Sequence, residues 1–304
     1  MTDWDLDERL RSAALAYVRA QQLRSAGPVT FDDVAQFEFD GRRVPLLDRQ
    51  RGIRKPALLD AALSFRTVHA ARPDLRPYDD APGPDGYLRY KYRGTDPDHP
   101  ENRAMRVVLE ARLPLIWFWG IATGLYWPIA PVWLVDEEPR EHQFVVAVDA
   151  QQFDAWTSTD SSERLVLREY SERVVQARVH QPVFRERVLA AYEARCAVCN
   201  LGYRELLDAA HVKGDAEGGQ PVVPNGIAMC KIHHGAFDAS ILGVTPSYEI
   251  RIRDDVLGEK DGPTLTYALQ GVHGRTLQLP SRRAARPDRE LLAERFDRFL
   301  AVAS

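Results

Sequence analysis

Cysteine is scarce in this 304-residue chain: there are three, all between residues 196 and 230. So few, so tightly grouped, exclude a disulfide framework and point to metal binding in a reducing setting. Lysine is nearly as rare, with five among 40 basic residues and arginine making up the rest. Arginine suits bidentate phosphate contacts, although genome composition produces the same bias. A formal net charge of −4 excludes a chain that is basic overall and leaves only a local basic face for a polyanionic partner. The N-terminus Met1-Thr2-Asp3-Trp4-Asp5 lacks the basic-then-apolar pattern of a secretion signal, which predicts a cytoplasmic protein. Internal repeats and low-complexity tracts are also missing.

One stretch lacks charge altogether. Leu113 to Val135 is long enough to span a bilayer, but Pro114, Gly120, Gly124, Pro128 and Pro131 interrupt it. Its aromatic residues, Trp117, Trp119, Tyr126, Trp127 and Trp133, run along the whole length rather than gathering at two interfaces. The segment reads as two buried strands, Leu115–Ile121 and Val132–Val135, joined by a Gly/Pro turn, and no membrane association is expected.

The length suggests two domains. Leu6, Leu10, Ala13, Ala14, Tyr17 and Val18 recur at helical spacing until Gly27-Pro28, predicting a helix over about 5–25. Phe37 and Phe39 alternate before Asp40-Gly41, and Val44 and Leu46 alternate after it, as in a hairpin. Short apolar runs and turns continue to about Asp149, with a helix near Glu101–Ala111. The polar Ser158–Ser162 stretch then caps an arginine-rich connector helix running to Arg178, and another helix from about Pro182 leads into Cys196. Strands are expected near Tyr248–Ile252 and Leu265–Leu269, and a last helix over about 288–301. The fold class is α+β, divided into an N-terminal helix (1–28), a mainly β domain (29–155), a connector (156–182) and a C-terminal domain (183–304).

Within the last domain, Cys196 and Cys199 form a C-x-x-C pair, and Cys230 and His233 repeat the spacing. Zinc takes four thiolate or imidazole ligands at tetrahedral corners, so these four residues form a candidate structural zinc site. Buried free cysteines with an exposed His233 are the alternative. Between and beside the pairs lie His211, Asn225 in a Pro-Asn-Gly turn, and His234.

Together, Cys196-x-x-Cys199, Ala210-His211-Val212, Pro224-Asn225-Gly226, Cys230-x-x-His233-His234 and Phe237-Asp238 resemble the HNH endonuclease family in its zinc-stabilised ββα-metal form, over about Phe184–Gly243. The resemblance implies that His211 is the general base, that Asn225 orients it, and that His234 binds a catalytic divalent ion, Mg2+ or Mn2+. Ala210 stands where many members carry an aspartate or histidine as a further ligand. Asp238 is the favoured substitute, and Asp208 is the other candidate.

In the first half, Gln50-Arg51-Gly52-Ile53, Arg76-Pro77-Tyr78-Asp79-Asp80, Tyr90-Lys91-Tyr92-Arg93-Gly94 and Asn102-Arg103-Ala104-Met105 resemble the SRA domain, a twisted β-barrel that reads modified cytosine. That resemblance covers about 42–149. It implies that Tyr78 and Tyr92 sandwich a flipped base and that Asp80 meets its Watson–Crick edge, with Arg51, Arg54, Lys91 and Arg93 on phosphates. Arginine 76 and Pro77 replace the paired glycines common before the first aromatic.

The two resemblances joined predict a modification-dependent restriction endonuclease acting on double-stranded DNA, with a homodimer expected if both strands are cut. One alternative keeps the nuclease and reads another mark, such as phosphorothioate or modified adenine, or plain sequence. The other is a zinc-containing DNA-binding module without catalysis.

Overall fold

A computed structural model describes residues 3–69, 82–157 and 164–303 and divides the chain into two compact units, 1–183 and 184–304. In the first unit, helix α1 (Trp4–Arg24) starts at Asp3, whose side chain accepts from the backbone N–H of Leu6 at 3.0 Å. Its buried stripe, Leu10, Ala14 and Val18, falls within the helical spacing read from the sequence. On the same face the ion pair Asp7–Arg11 (2.8 Å) is also buried, and the Arg11 guanidinium donates to the carbonyls of Ala62 (3.0 Å) and Pro114 (2.7 Å). Removing one member of such a pair leaves an uncompensated buried charge, so Asp7→Ala is expected to cost about 3–5 kcal/mol, read as a fall in the denaturant midpoint.

Strand β1 (Val29–Thr30), helix α2 (Phe31–Ala35) and the hairpin β2 (Glu38–Phe39)–β3 (Arg42–Arg43) follow. Asp40 and Gly41 both take positive φ in the hairpin turn, as a two-residue Asp-Gly connection requires. Next come β4 (Ile53–Arg54), β5 (Ser64–Thr67), β6 (Leu88–Lys91), α3 (Pro100–Ala111), β7 (Leu115–Ala122), β8 (Leu125–Glu138) and β9 (Gln143–Ala147). They build one curled sheet in the order β4-β5-β7-β8-β9-β6, with β1 added on β8. All neighbours are antiparallel except β5 and β7. The path ends at β4 and β6. Among the described residues no ladder joins these ends, although the Tyr90 hydroxyl of β6 reaches the Arg66 carbonyl of β5 at 3.3 Å.

The uncharged stretch is explained by this sheet. Leu115, Trp117 and Trp119 of β7 enter one core, with Phe65, Met105, Leu134 and Phe144. Ile116 and Phe118 enter the other, with Leu10, Val18 and Val29. A strand covered on both faces has no polar side to alternate with. No helix among the described residues is long and apolar enough to cross a membrane.

Helices α4 (Ala150–Thr157) and α5 (Arg164–Val175) lead through a π-helical turn at Gln176–His180 into α6 (Gln181–Ala191). Val175, Val179 and Val183 pack in the sheet's core, so the segment expected to be a separate connector belongs largely to the first unit. The division between units falls inside α6.

The second unit holds β10 (Leu207–His211), β11 (Gly226–Cys230), α7 (Lys231–Asp238), β12 (Leu242–Val244), β13 (Ile250–Ile252), α8 (Asp254–Gly258) and α9 (Arg289–Ala303). Leu189, Ala210, Ile227, Met229, Phe237, Ile250 and Leu292 lie in its core. The strand expected over Leu265–Leu269 is instead a helical turn, Thr264–Leu269. Its apolar residues are not a sheet face: the turn aims the Ala268 carbonyl at His233 Nε2, 2.7 Å away.

Candidate active site and metal centre

Antiparallel β10 and β11 followed at once by α7 make a ββα unit, with His211 opposite Gly226 and Leu207 opposite Cys230. This register brings the ends of the Cys/His run together. The donor atoms of Cys196, Cys199, Cys230 and His233 all lie within 4.8 Å of one another, with Cys230 Sγ 3.1 Å and Cys196 Sγ 3.5 Å from His233 Nδ1. Ligands on a tetrahedral ion with bonds of ~2.0–2.3 Å stand about 3.3–3.8 Å apart, so the group suits a metal ion with little movement. The Ala268 carbonyl at His233 Nε2 holds the proton there and leaves Nδ1 as the ligand nitrogen.

His211 closes β10. Its ring stacks on Phe184 with centroids 4.0 Å apart and planes 14° from parallel. Burial is the largest cause holding the imidazole below its ordinary pKa, opposed by the nearby Asp215 carboxylate and reinforced by His234. Asp215 Oδ1 lies 3.4 Å from His211 Nε2. That carboxylate favours the tautomer with its proton on Nε2, leaving Nδ1 as the basic nitrogen.

Space for the Phe184 ring comes from Gly226. A Cβ built there would stand 2.8 Å from Phe184 Cζ and 2.5 Å from Val188 Cγ2. Gly226→Ala is therefore expected to cost about 1–3 kcal/mol by overpacking and, by displacing Phe184, to depress cleavage more than an equally destabilising change elsewhere in this core. Melting and cleavage measured together on both variants check this. Sequence reasoning missed Phe184, Asp215 and the packing role of Gly226, because stacking and close approach leave no spacing signature.

Asn225 is 1% exposed, and its side chain is committed to backbone. Oδ1 accepts from the Lys213 N–H (2.9 Å), while Nδ2 donates to the carbonyls of Lys213 and Gln220 (both 2.9 Å). Its own carbonyl accepts from the Val212 N–H at 2.9 Å. The asparagine thus fixes the backbone that follows His211.

His234 stands between two carboxylates: Asp208 Oδ2 is 3.7 Å from Nδ1, and Asp238 Oδ2 is 3.2 Å from Nε2. The neighbouring Asp208 carboxylate is the first cause raising the pKa of His234, and the imidazole in turn holds Asp208 well below the ordinary carboxylate range. Asp208 is further engaged by Lys231 at 3.0 Å, whereas Asp238 is largely exposed, with Arg295 at 3.8 Å. Ala210 is fully buried in β10, so no side chain reaches the site from that position.

The other expected site residues lie in the first unit. Tyr78 and Asp80 fall outside the described residues. Tyr92 departs from expectation: it is 1% exposed, packs on Phe144 and bonds Glu137 through its hydroxyl, so neither ring face is open to a base. Just past the end of β6, it continues into the core that Tyr90 enters. Arg51 and Arg93 are exposed, while Arg54 and Lys91 are half-buried and donate to the carbonyls of Pro45 (2.9 Å) and Glu141 (3.1 Å).

One family comparison covers the site. Residues 196–245 match the HNH_2 family, HNH endonuclease. No curated protein matches the sequence. Two solved structures are similar in part. One, described as the modification dependent TagI restriction endonuclease, has 19% identity and a TM-score of 0.30, covering 82% of this chain and 85% of that one. The other, described as the type IV phosphorothioation-dependent restriction endonuclease ScoMcrA, has 14% identity and a TM-score of 0.26 over 84% of this chain. The chain spans about half of that protein, 52%. The segment that carries the paired cysteines, His211, Asn225 and His234 is thus an HNH endonuclease domain, set in the second of the chain's two compact units.

Proposed function

We propose that this protein is a modification-dependent DNA endonuclease whose C-terminal unit hydrolyses phosphodiester bonds and whose N-terminal unit selects the DNA. The observation that carries the reading is the ββα unit in which His211, held by Phe184, shares a site with His234 and Asp238. His211 takes a proton from water as its oxygen attacks phosphorus, and the 3′ or 5′ oxygen leaves on the opposite side. Asn225 keeps the base in place through the backbone of residues 212 and 213.

His234 and Asp238 would hold the catalytic divalent ion, Mg2+ or Mn2+. Their 3.2 Å separation suits adjacent ligands of an octahedral ion, about 3 Å apart, and Asp208 flanks the same imidazole. When bound, the ion stabilises charge on the phosphate oxygens. The Cys3His group is assigned to structural zinc. Since one such site cuts one strand, double-strand cleavage would take two copies.

For the N-terminal unit the ordered motifs support an SRA-like reader of modified cytosine, with Tyr78 and Asp80 retained as base contacts. The burial of Tyr92 favours a second reading, in which this unit detects another mark, such as phosphorothioate or modified adenine, or plain sequence. A panel of duplexes, each carrying one modification and assayed with Mg2+ or Mn2+ at fixed salt, tests both. Preferential cleavage of modified cytosine supports the first reading and preference for another mark the second. Equal cleavage of every duplex, unmodified included, sinks modification dependence.

A further inference from the structure

Arg282, Arg283, Arg286 and Arg289 fall within eight residues of a chain whose net charge is negative. Their segment lies beside the site. The helical turn Arg283–Ala285 packs against the turn Val223–Asn225, and the Asp288 N–H donates to the Pro224 carbonyl at 2.9 Å. It is held firmly as well. The Tyr248 hydroxyl donates to the Pro287 carbonyl (3.0 Å), Arg286 Nε donates to the Pro280 carbonyl (3.2 Å), and the Arg289 guanidinium lies 5.2 Å over the Tyr248 ring.

Other cations around the same loop are neutralised: Lys213 by Glu294 at 2.9 Å, Arg295 by Asp238 at 3.8 Å, and Arg298 by Glu217. Among the described residues none of the four arginines has a carboxylate in ion-pair reach, and Arg282 and Arg283 are exposed. The nearest acid in sequence, Asp288, is occupied in capping α9, accepting from the N–H groups of Glu290 (2.8 Å) and Leu291 (3.2 Å).

We infer that this arginine turn is a docking surface for the phosphate backbone of duplex DNA, seating the strand against the Asn225 side of the HNH site. The inference rests on the endonuclease reading above. Uncompensated guanidinium forks on a rigid turn match phosphate oxygens in geometry and charge and release counterions on contact. Such contacts position DNA without reading sequence.

The test compares full-length His211→Ala, which retains bound DNA uncut, with the same protein carrying Arg282→Ala and Arg283→Ala, or Arg282→Lys and Arg283→Lys. Affinity for a 20-base-pair duplex, with and without 5-methylcytosine, is measured by fluorescence anisotropy across a salt series. Two lost phosphate contacts are expected to lower the slope of log affinity against log salt by about 2, equally for both duplexes, while the lysine variant keeps the slope. An unchanged slope in the alanine variant, or no DNA binding by the parent, overturns the inference. Nicking of plasmid DNA by the unmutated protein is scored separately. Its failure would count against the endonuclease reading, whereas the slope judges the arginine turn alone.

Discussion

Alanine at position 211 is expected to lower DNA cleavage by about 10^3-fold while leaving fold, metal content and DNA affinity intact. General bases contribute roughly 10^2–10^4 to a rate, and the half-buried His211 stacks on the Phe184 ring, which stays anchored in α6 without it. Nicking of supercoiled plasmid, circular dichroism and metal quantification on one preparation check all three parts. Unchanged nicking would remove His211 from the chemistry. The pH profile of the unmutated protein carries the same assignment: the base works neutral, and burial lowers its pKa. The acid limb of the cleavage profile should therefore lie below about pH 6.5, the ordinary histidine value, with the rate rising as pH increases through it.

Stripping the metal is expected to have the largest effect on stability. Structural zinc contributes an apparent 10–16 kcal/mol in small domains, as much as or more than the ~5–15 kcal/mol by which a whole domain is stable. Here three of the four residues that could hold the ion are buried, and Cys196 and Cys230 lie in the hydrophobic core of the second unit. Chelation, or Cys230→Ser, should open residues 184–304 to proteolysis while a fragment of about 1–183 survives, and one zinc per chain should be lost. Proteolysis unaffected by chelator would refute the structural assignment.

The Cys3His group was legible from spacing, because metal ligands recur at short, regular intervals around a ββα unit. The Cys196/Cys199 and Cys230/His233 pairs are examples, and the apolar run of β7 was legible too, since its lack of alternation follows from cover on both faces. What spacing could not decide was direction. Tyr90, Lys91 and Tyr92 alternate convincingly, yet which parity faces inward depends on the sheet's curl, and Tyr92 proved to be inside. Similarly, Leu265–Leu269 has the composition of a strand, but the demand of His233 for a carbonyl at its second nitrogen is a long-range constraint. Phe184 belongs to the same class, since it meets His211 from a different element, α6.

The Asn225 clasp bears on how this domain can diversify. By holding the backbone at Lys213 and at Gln220, it closes residues 214–219 into a small ring whose geometry is set at its neck. Sequence inside that ring is constrained from both sides, because Asp215 reaches His211 Nε2 at 3.4 Å and a Cβ built at Gly219 would stand 2.0 Å from the Lys213 carbonyl oxygen. The clasp thus makes the ring a lever on the histidine just outside it: an insertion that moves Asp215 or crowds Gly219 should be felt at His211.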